Sequence, residues 1–292
     1  MRLNRFLVAL LTGVVCAGSG CTSTSREDGR DPQAAGHTHA ADGSPATLLV
    51  GDGTESVEVG YRLVDVRVPI RAGVPGKVSF KVKRYDGSTV RDYKVEQTRK
   101  LHLYVVRTDL AVFRHLHPAM SQDGTWSAAL TLPEPGDYRV VAQFVARDQG
   151  GNSDHLMLGS TTTVPGTWTR EPLPRSRDGA DGTIEVAARG TVAVGNDGRF
   201  ELEVRDSSGG PVDLGSYLGS SAHVTGFQTR SGAAVHMHPL GQPEVDRDGT
   251  RLRFHTEFEE PGDYRLFVQV RVDGFLHTVP VTITVRPGAR GS

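Results

Sequence analysis

The sequence predicts an all-β protein made of two tandem β-sandwiches, on three observations. The first is length: 292 residues, at about 100–200 per domain, make two domains the first expectation. The second is texture. The 35 Gly and 16 Pro punctuate short alternating runs rich in Val and Thr, and apolar residues show almost no period of 3.6. The third is an internal repeat, in which Leu132-Pro133-Glu134-Pro135-Gly136-Asp137-Tyr138-Arg139 returns as Glu259-Glu260-Pro261-Gly262-Asp263-Tyr264-Arg265. Each copy is followed by an alternating strand, Val140 to Val145 and Leu266 to Val270, and preceded by Asp-Gly-Thr at 123–125 and 248–250.

From the N-terminus onward, Arg2 and Arg5 precede an apolar run from Phe6 to Val15 that is too short for a settled membrane span. Small residues then lead to Cys21, which is the layout of an export signal over 1–20. Residues 21–45 are polar and lack an apolar period, so they read as a flexible tether that carries His37 and His39. Domain 1 is expected over 46–168, a Pro- and charge-rich linker over 169–182, and domain 2 over 183–292. The repeated Gly-Asp-Tyr opening a late strand matches the tyrosine corner of an immunoglobulin-like sandwich of about seven strands.

Composition removes several function classes. The formal net charge of −1 leaves no field of one sign to attract nucleic acid. Of the 2 Cys, Cys16 lies in the signal and Cys21 at its end, so no disulfide or thiolate metal site is expected in the folded body. No nucleophile elbow, zinc-protease helix motif or phosphate-cradling loop occurs, and the chain is expected not to be an enzyme.

The 11 His are the informative residues. His102, His115 and His117 in the first copy match His223, His236 and His238 in the second, with spacings of 13 and then 2 in both, and each set ends in His-x-His-Pro. The residues between have diverged: Asp109 aligns with Arg230, and Leu116 with Met237. A hairpin with Asp109-Leu110 at its turn sets His102 opposite His117 and Tyr104 opposite His115. The same construction with Arg230-Ser231 sets His223 opposite His238. Opposed Cβ atoms lie about 4.5–5.5 Å apart, so three imidazoles share one face in each domain while Met237 points to the core. Converging neutral imidazoles suit a transition metal; copper is favoured and zinc is the alternative. His155 and His277, each near the start of a last strand but differing by about one residue in the repeat, are candidate additional ligands. The competing expectation is a non-catalytic envelope interaction or structural protein whose histidines are merely solvated. Ligating His must be neutral, so metal affinity is expected to weaken below about pH 6.5.

Gly18-Ser19-Gly20-Cys21 resembles a bacterial lipobox, which implies lipid modification of Cys21 and attachment to the outer face of the cell membrane, or else plain secretion. The stretches Lys100-Leu101-His102 through His117-Pro118, Glu134 to Tyr138, Tyr217-Leu218-Gly219 through His223, His236-Met237-His238-Pro239 and Gly262-Asp263-Tyr264 resemble exported YtkA-like and heavy-metal-associated β-sandwich domains. That resemblance implies a metal-binding role in the envelope, with a metal transporter or metal-accepting envelope protein as partner.

Overall fold

A computed structural model describes residues 49–148, 150–237 and 239–288. The signal, the tether, Cys21, His37, His39 and His238 lie outside the described residues.

No helix occurs among the described residues, and the strands form four sheets, two per domain. Four strands carry the site in domain 1: β1 (Leu101–Arg107), β2 (Phe113–Leu116), β3 (Gly136–Arg147) and β4 (Ser153–Val164). Their counterparts in domain 2 are β5 (His223–Gln228), β6 (Ala234–Met237), β7 (Gly262–Val272) and β8 (Phe275–Arg286). Both sets have the same order: β2 is an edge beside β1, then β3 and β4, as β6 is beside β5, β7 and β8. The second sheet of domain 1 is built around Tyr61–Arg67, Gly76–Arg84 and Trp126–Leu130, and that of domain 2 around Ile184–Arg189, Gly195–Asp206 and Gly249–Phe258. Each pair of sheets encloses its own apolar core, with Phe80, Leu103, Val140 and Leu158 in one and Leu202, Val224, Leu266 and Ile283 in the other. Met237 belongs to the second core, as its parity in the hairpin requires.

The tyrosine corner closes in both domains. The Tyr138 hydroxyl donates to the Glu134 carbonyl at 2.8 Å, and that of Tyr264 to the Glu260 carbonyl at 3.0 Å. The fold is thus the tandem immunoglobulin-like sandwich that the repeat predicts. Asp178–Asp181, inside the expected linker, forms an edge strand paired with Ile184–Arg189. Its Asp-Gly-Ala-Asp sequence has little strand propensity of its own, and an edge is the position that tolerates this.

The alternating pattern of β1 and β5 predicts strands with one wet face, yet every residue of both is buried. The cause is a third apolar cluster between the domains: Tyr104, Val106, Leu110, Phe113, Val141 and Met157 of domain 1 meet Phe227, Ala234 and Phe267 of domain 2. Phe113 stacks on Phe267 with ring centroids 4.1 Å apart and planes within 5°. The outward faces of the two histidine-bearing sheets therefore pack on each other.

Candidate metal centre

The hairpins have the predicted register. Tyr104 pairs with His115 and Leu103 with Leu116 across β1 and β2; Thr225 pairs with His236 and Val224 with Met237 across β5 and β6. In domain 1 the turn is closed by the Arg107 N–H on the Val112 carbonyl, with Leu110 held at φ 62°, a conformation costly for a side-chain-bearing residue. The domain 2 turn places Gly232 at φ 75°, where glycine is unstrained. Beyond His117, Pro118 ends the edge strand and the chain crosses to the opposite sheet at Ala119–Met120.

Because these two faces form the domain interface, the expected pair of three-His faces becomes one cluster. His102, His115 and His223 each offer a ring nitrogen, all within 4.8 Å of one another. His102 Nδ1 lies 3.1 Å from His115 Nε2. The His223 ring stacks on that of His115 at 4.6 Å, and the His236 ring lies 4.2 Å from that of His223. The His117 ring is 4.7 Å from that of His115 and 5.2 Å from that of His102. Five of the six predicted ligands thus come together, and the sixth, His238, is outside the described residues.

The candidate additional ligands separate. Register places His155 opposite Val145 but His277 opposite Val270, so Gln143 is paired with Met157 while its counterpart Gln269 is paired with Thr278. His277 is one residue out of step with His155, and a step of one turns a side chain to the other face of the sheet. His155 accordingly stays on the cluster side, with Nε2 3.2 Å from Gln143 Nε2 and 3.0 Å from Glu96 Oε2. His277 turns away and its Nδ1 meets the Asp181 carbonyl oxygen at 3.2 Å. It is not part of the cluster.

Sequence reasoning missed three groups around the imidazoles. Gln269 Oε1 lies 2.6 Å from His115 Nδ1, Gln143 Oε1 lies 2.7 Å from His236 Nδ1, and the Tyr104 hydroxyl lies 3.3 Å from His223 Nε2. The signal available for the glutamines was their matching place in the repeat, five residues after each Gly-Asp-Tyr tyrosine. Tyr104 gave none, because Thr225 occupies its counterpart position.

The electrostatics favour neutral rings. Burial holds the His115 imidazole well below its ordinary value of 6.5, reinforced by His102 and His117 beside it and opposed by the Gln269 hydrogen bond. Burial, with the Arg99 guanidinium second, pushes His117 down to about 4. Neutral imidazole is the metal-binding form. Bonds of about 2.0–2.1 Å place neighbouring ligand nitrogens about 3–3.4 Å apart around an ion, and the 3.1 Å separation of His102 Nδ1 and His115 Nε2 already has that spacing. His117 Nε2 is buried with no hydrogen-bond partner among the described residues, which suits a nitrogen whose lone pair could take an ion. The donor set fits a borderline transition metal.

Fold and site together define a tandem β-sandwich protein with one imidazole cluster at the seam between its domains. The chain belongs to the family described as Domain of unknown function DUF8832, which it matches twice, over residues 56–155 and 178–287. No curated protein matches it. Among solved structures it is similar to invasin, a bacterial integrin-binding protein, at 16% identity and a TM-score of 0.24 over 79% of this chain and 39% of the other. It is also similar to dimeric latent PorU of Porphyromonas gingivalis, at 13% identity and a TM-score of 0.24 over 80% and 24% of the two chains. Fibronectin(III)-like modules of CbhA from Clostridium thermocellum overlap 79% of this chain and 98% of theirs, at 12% identity and a TM-score of 0.22. The chain therefore spans well under half the length of the first two.

Proposed function

We propose that the protein is an exported, lipid-anchored binder of a transition-metal ion, copper before zinc, which it holds at one site shared by its two domains for buffering or delivery outside the membrane. The observation that carries this reading is the convergence of imidazoles from both domains, with His102 Nδ1 and His115 Nε2 already at ligand spacing. A metal held by His102 Nδ1 and His115 Nε2 would require the His102 ring proton on Nε2, where the Glu96 carbonyl oxygen is 3.4 Å away. Anchoring rests on the apolar run before Cys21 and the lipobox likeness, and the recipient would be a metal transporter or another envelope protein. The role is binding rather than catalysis.

The test is elemental analysis and calorimetric titration of the chain from residue 21 onward, carrying Cys21→Ser and no histidine tag. We expect near one equivalent of copper or zinc per chain, with His102→Ala plus His115→Ala abolishing binding. Two equivalents, halved by that pair, would restore a separate site in each domain. No binding at micromolar metal and neutral pH would leave the cluster as a hydrogen-bonded seam in a structural or interaction protein.

A further inference from the structure

An imidazole that ligates a metal through one ring nitrogen needs the other held by an acceptor, which fixes both the tautomer and the ring direction. His115 and His236 have such acceptors, and in each case the acceptor belongs to the other domain. Gln269 on β7 of domain 2 faces His115 of domain 1, and Gln143 on β3 of domain 1 faces His236 of domain 2. We propose that Gln143 and Gln269 are positioning residues that set the tautomers of His236 and His115 reciprocally, so that each domain prepares the other's ligand and the site exists only with the domains docked. This rests on the metal-site reading above.

Both amides make further contacts. Gln143 Oε1 also accepts from the Tyr104 hydroxyl at 3.1 Å, and its Nε2 lies 3.2 Å from His155 Nε2. Gln269 turns its Oε1 to His115 and donates through Nε2 to Thr278 Oγ1 at 3.3 Å. A carboxamide oxygen only accepts, so His115 and His236 carry their proton on Nδ1 and present a lone pair at Nε2. For His115 that lone pair is the atom 3.1 Å from His102 Nδ1. Gln143 and Gln269 are 1% and 4% exposed, so water does not replace either amide readily. Glutamine suits the role because it is neutral: it fixes the tautomer while raising the basicity of a buried ring less than a carboxylate would.

The test reads tautomers in metal-free protein by nitrogen-15 NMR of the imidazoles near pH 7.5, alongside metal affinity. In the chain from residue 21 onward with Cys21→Ser, His115 and His236 should be protonated at Nδ1. Gln269→Leu should release His115 and leave His236 unchanged, and Gln143→Leu should do the reverse. Each variant should weaken metal binding about 10–100-fold, the usual size of such outer-shell effects. Gln269→Glu, which keeps an acceptor at the same reach, should retain Nδ1 protonation of His115, and it carries the test if the Leu variant does not fold. Unchanged tautomers in the Leu variants, or loss of Nδ1 protonation in the Glu variant, would overturn the proposal while leaving the metal reading standing. The expected tautomers without any metal binding would instead sink the metal reading and confine the glutamines to orienting the seam.

Discussion

The two domains place the same imidazoles on the same strands but support them differently. At the end of β1, domain 1 buries Arg107 against Asp109, with a 2.8 Å hydrogen bond, and also pairs it with Glu134 and Glu171 beneath Trp168. At the end of β5, domain 2 has Gln228, whose side-chain oxygen accepts the N–H groups of Arg230 and Ser231 at 2.5 and 2.8 Å. Bulk is likewise traded across the interface: domain 1 has Phe113 and Val141 where domain 2 has Ala234 and Phe267, and the two large rings stack. A duplicated surface packed on itself cannot fill its middle with two rings at every matched position, so one copy has grown where the other has shrunk. The glutamines and imidazoles, which meet as matched pairs, have stayed alike.

The largest difference between the domains is expected at the hairpin ends. Arg107→Met leaves Asp109 buried without its cation and should cost about 3–5 kcal/mol. Gln228→Met removes an acceptor from two backbone donors and should cost about 1–3 kcal/mol. Urea unfolding of both variants checks the ranking, and equal losses would show that the ion network does no more than the amide. Next, Phe267→Ala should cost about 3 kcal/mol through the cavity it leaves, against about 1.5 kcal/mol for Val141→Ala on the matched position. A thermal scan of each variant tests whether the stack dominates the seam.

The pH dependence comes third. His115 and His117 have folded values below their unfolded ones, so the folded chain binds fewer protons than the unfolded chain. Stability should be full above about pH 6.5 and fall as pH drops from there toward 4, where His117 itself protonates, by at most about 1.4 kcal/mol per pH unit for each ring. Burial would carry any loss of metal affinity below the pH 6.5 expected of free imidazoles. A melting temperature flat from pH 7 to 5 would contradict the depressed values. Smallest is the tyrosine corner: Tyr138→Phe and Tyr264→Phe each remove one hydrogen bond and should cost about 1 kcal/mol in either domain. Unequal losses there would show that the corner, too, has diverged.

Most of the fold was legible because its determinants are local. The Gly-Asp-Tyr blocks announce a corner that closes within four residues, and the alternation from Leu101 to Val106 and from Val112 to His117 fixes a hairpin register that the structure reproduces. The histidine face was legible for the same reason. What stayed hidden is how the domains dock, since nothing in the alternation of β1 distinguishes a face covered by water from one covered by a second domain. Phe113 and Phe267 lie more than a hundred residues apart, and their stack has no local signal. His277 was misplaced because proximity in the repeat was read without the parity of its strand, and the Asp178–Asp181 strand was missed because its pairing partner supplies what its own residues lack.

When residue i of one module meets residue j of another, and j of the first meets i of the second, the surface is self-complementary, which is the signature of an isologous two-fold dimer. Here both halves are written on one chain, joined through Pro165 to Arg177, with Glu171 held by the Arg107 guanidinium and Leu173 packed against the seam. The second half is therefore always present at a high effective concentration, and assembly no longer depends on how much protein the cell makes. Once the halves are fused they are also free to differ, as Tyr104 and Thr225 do, which an obligate pair of identical subunits could not allow.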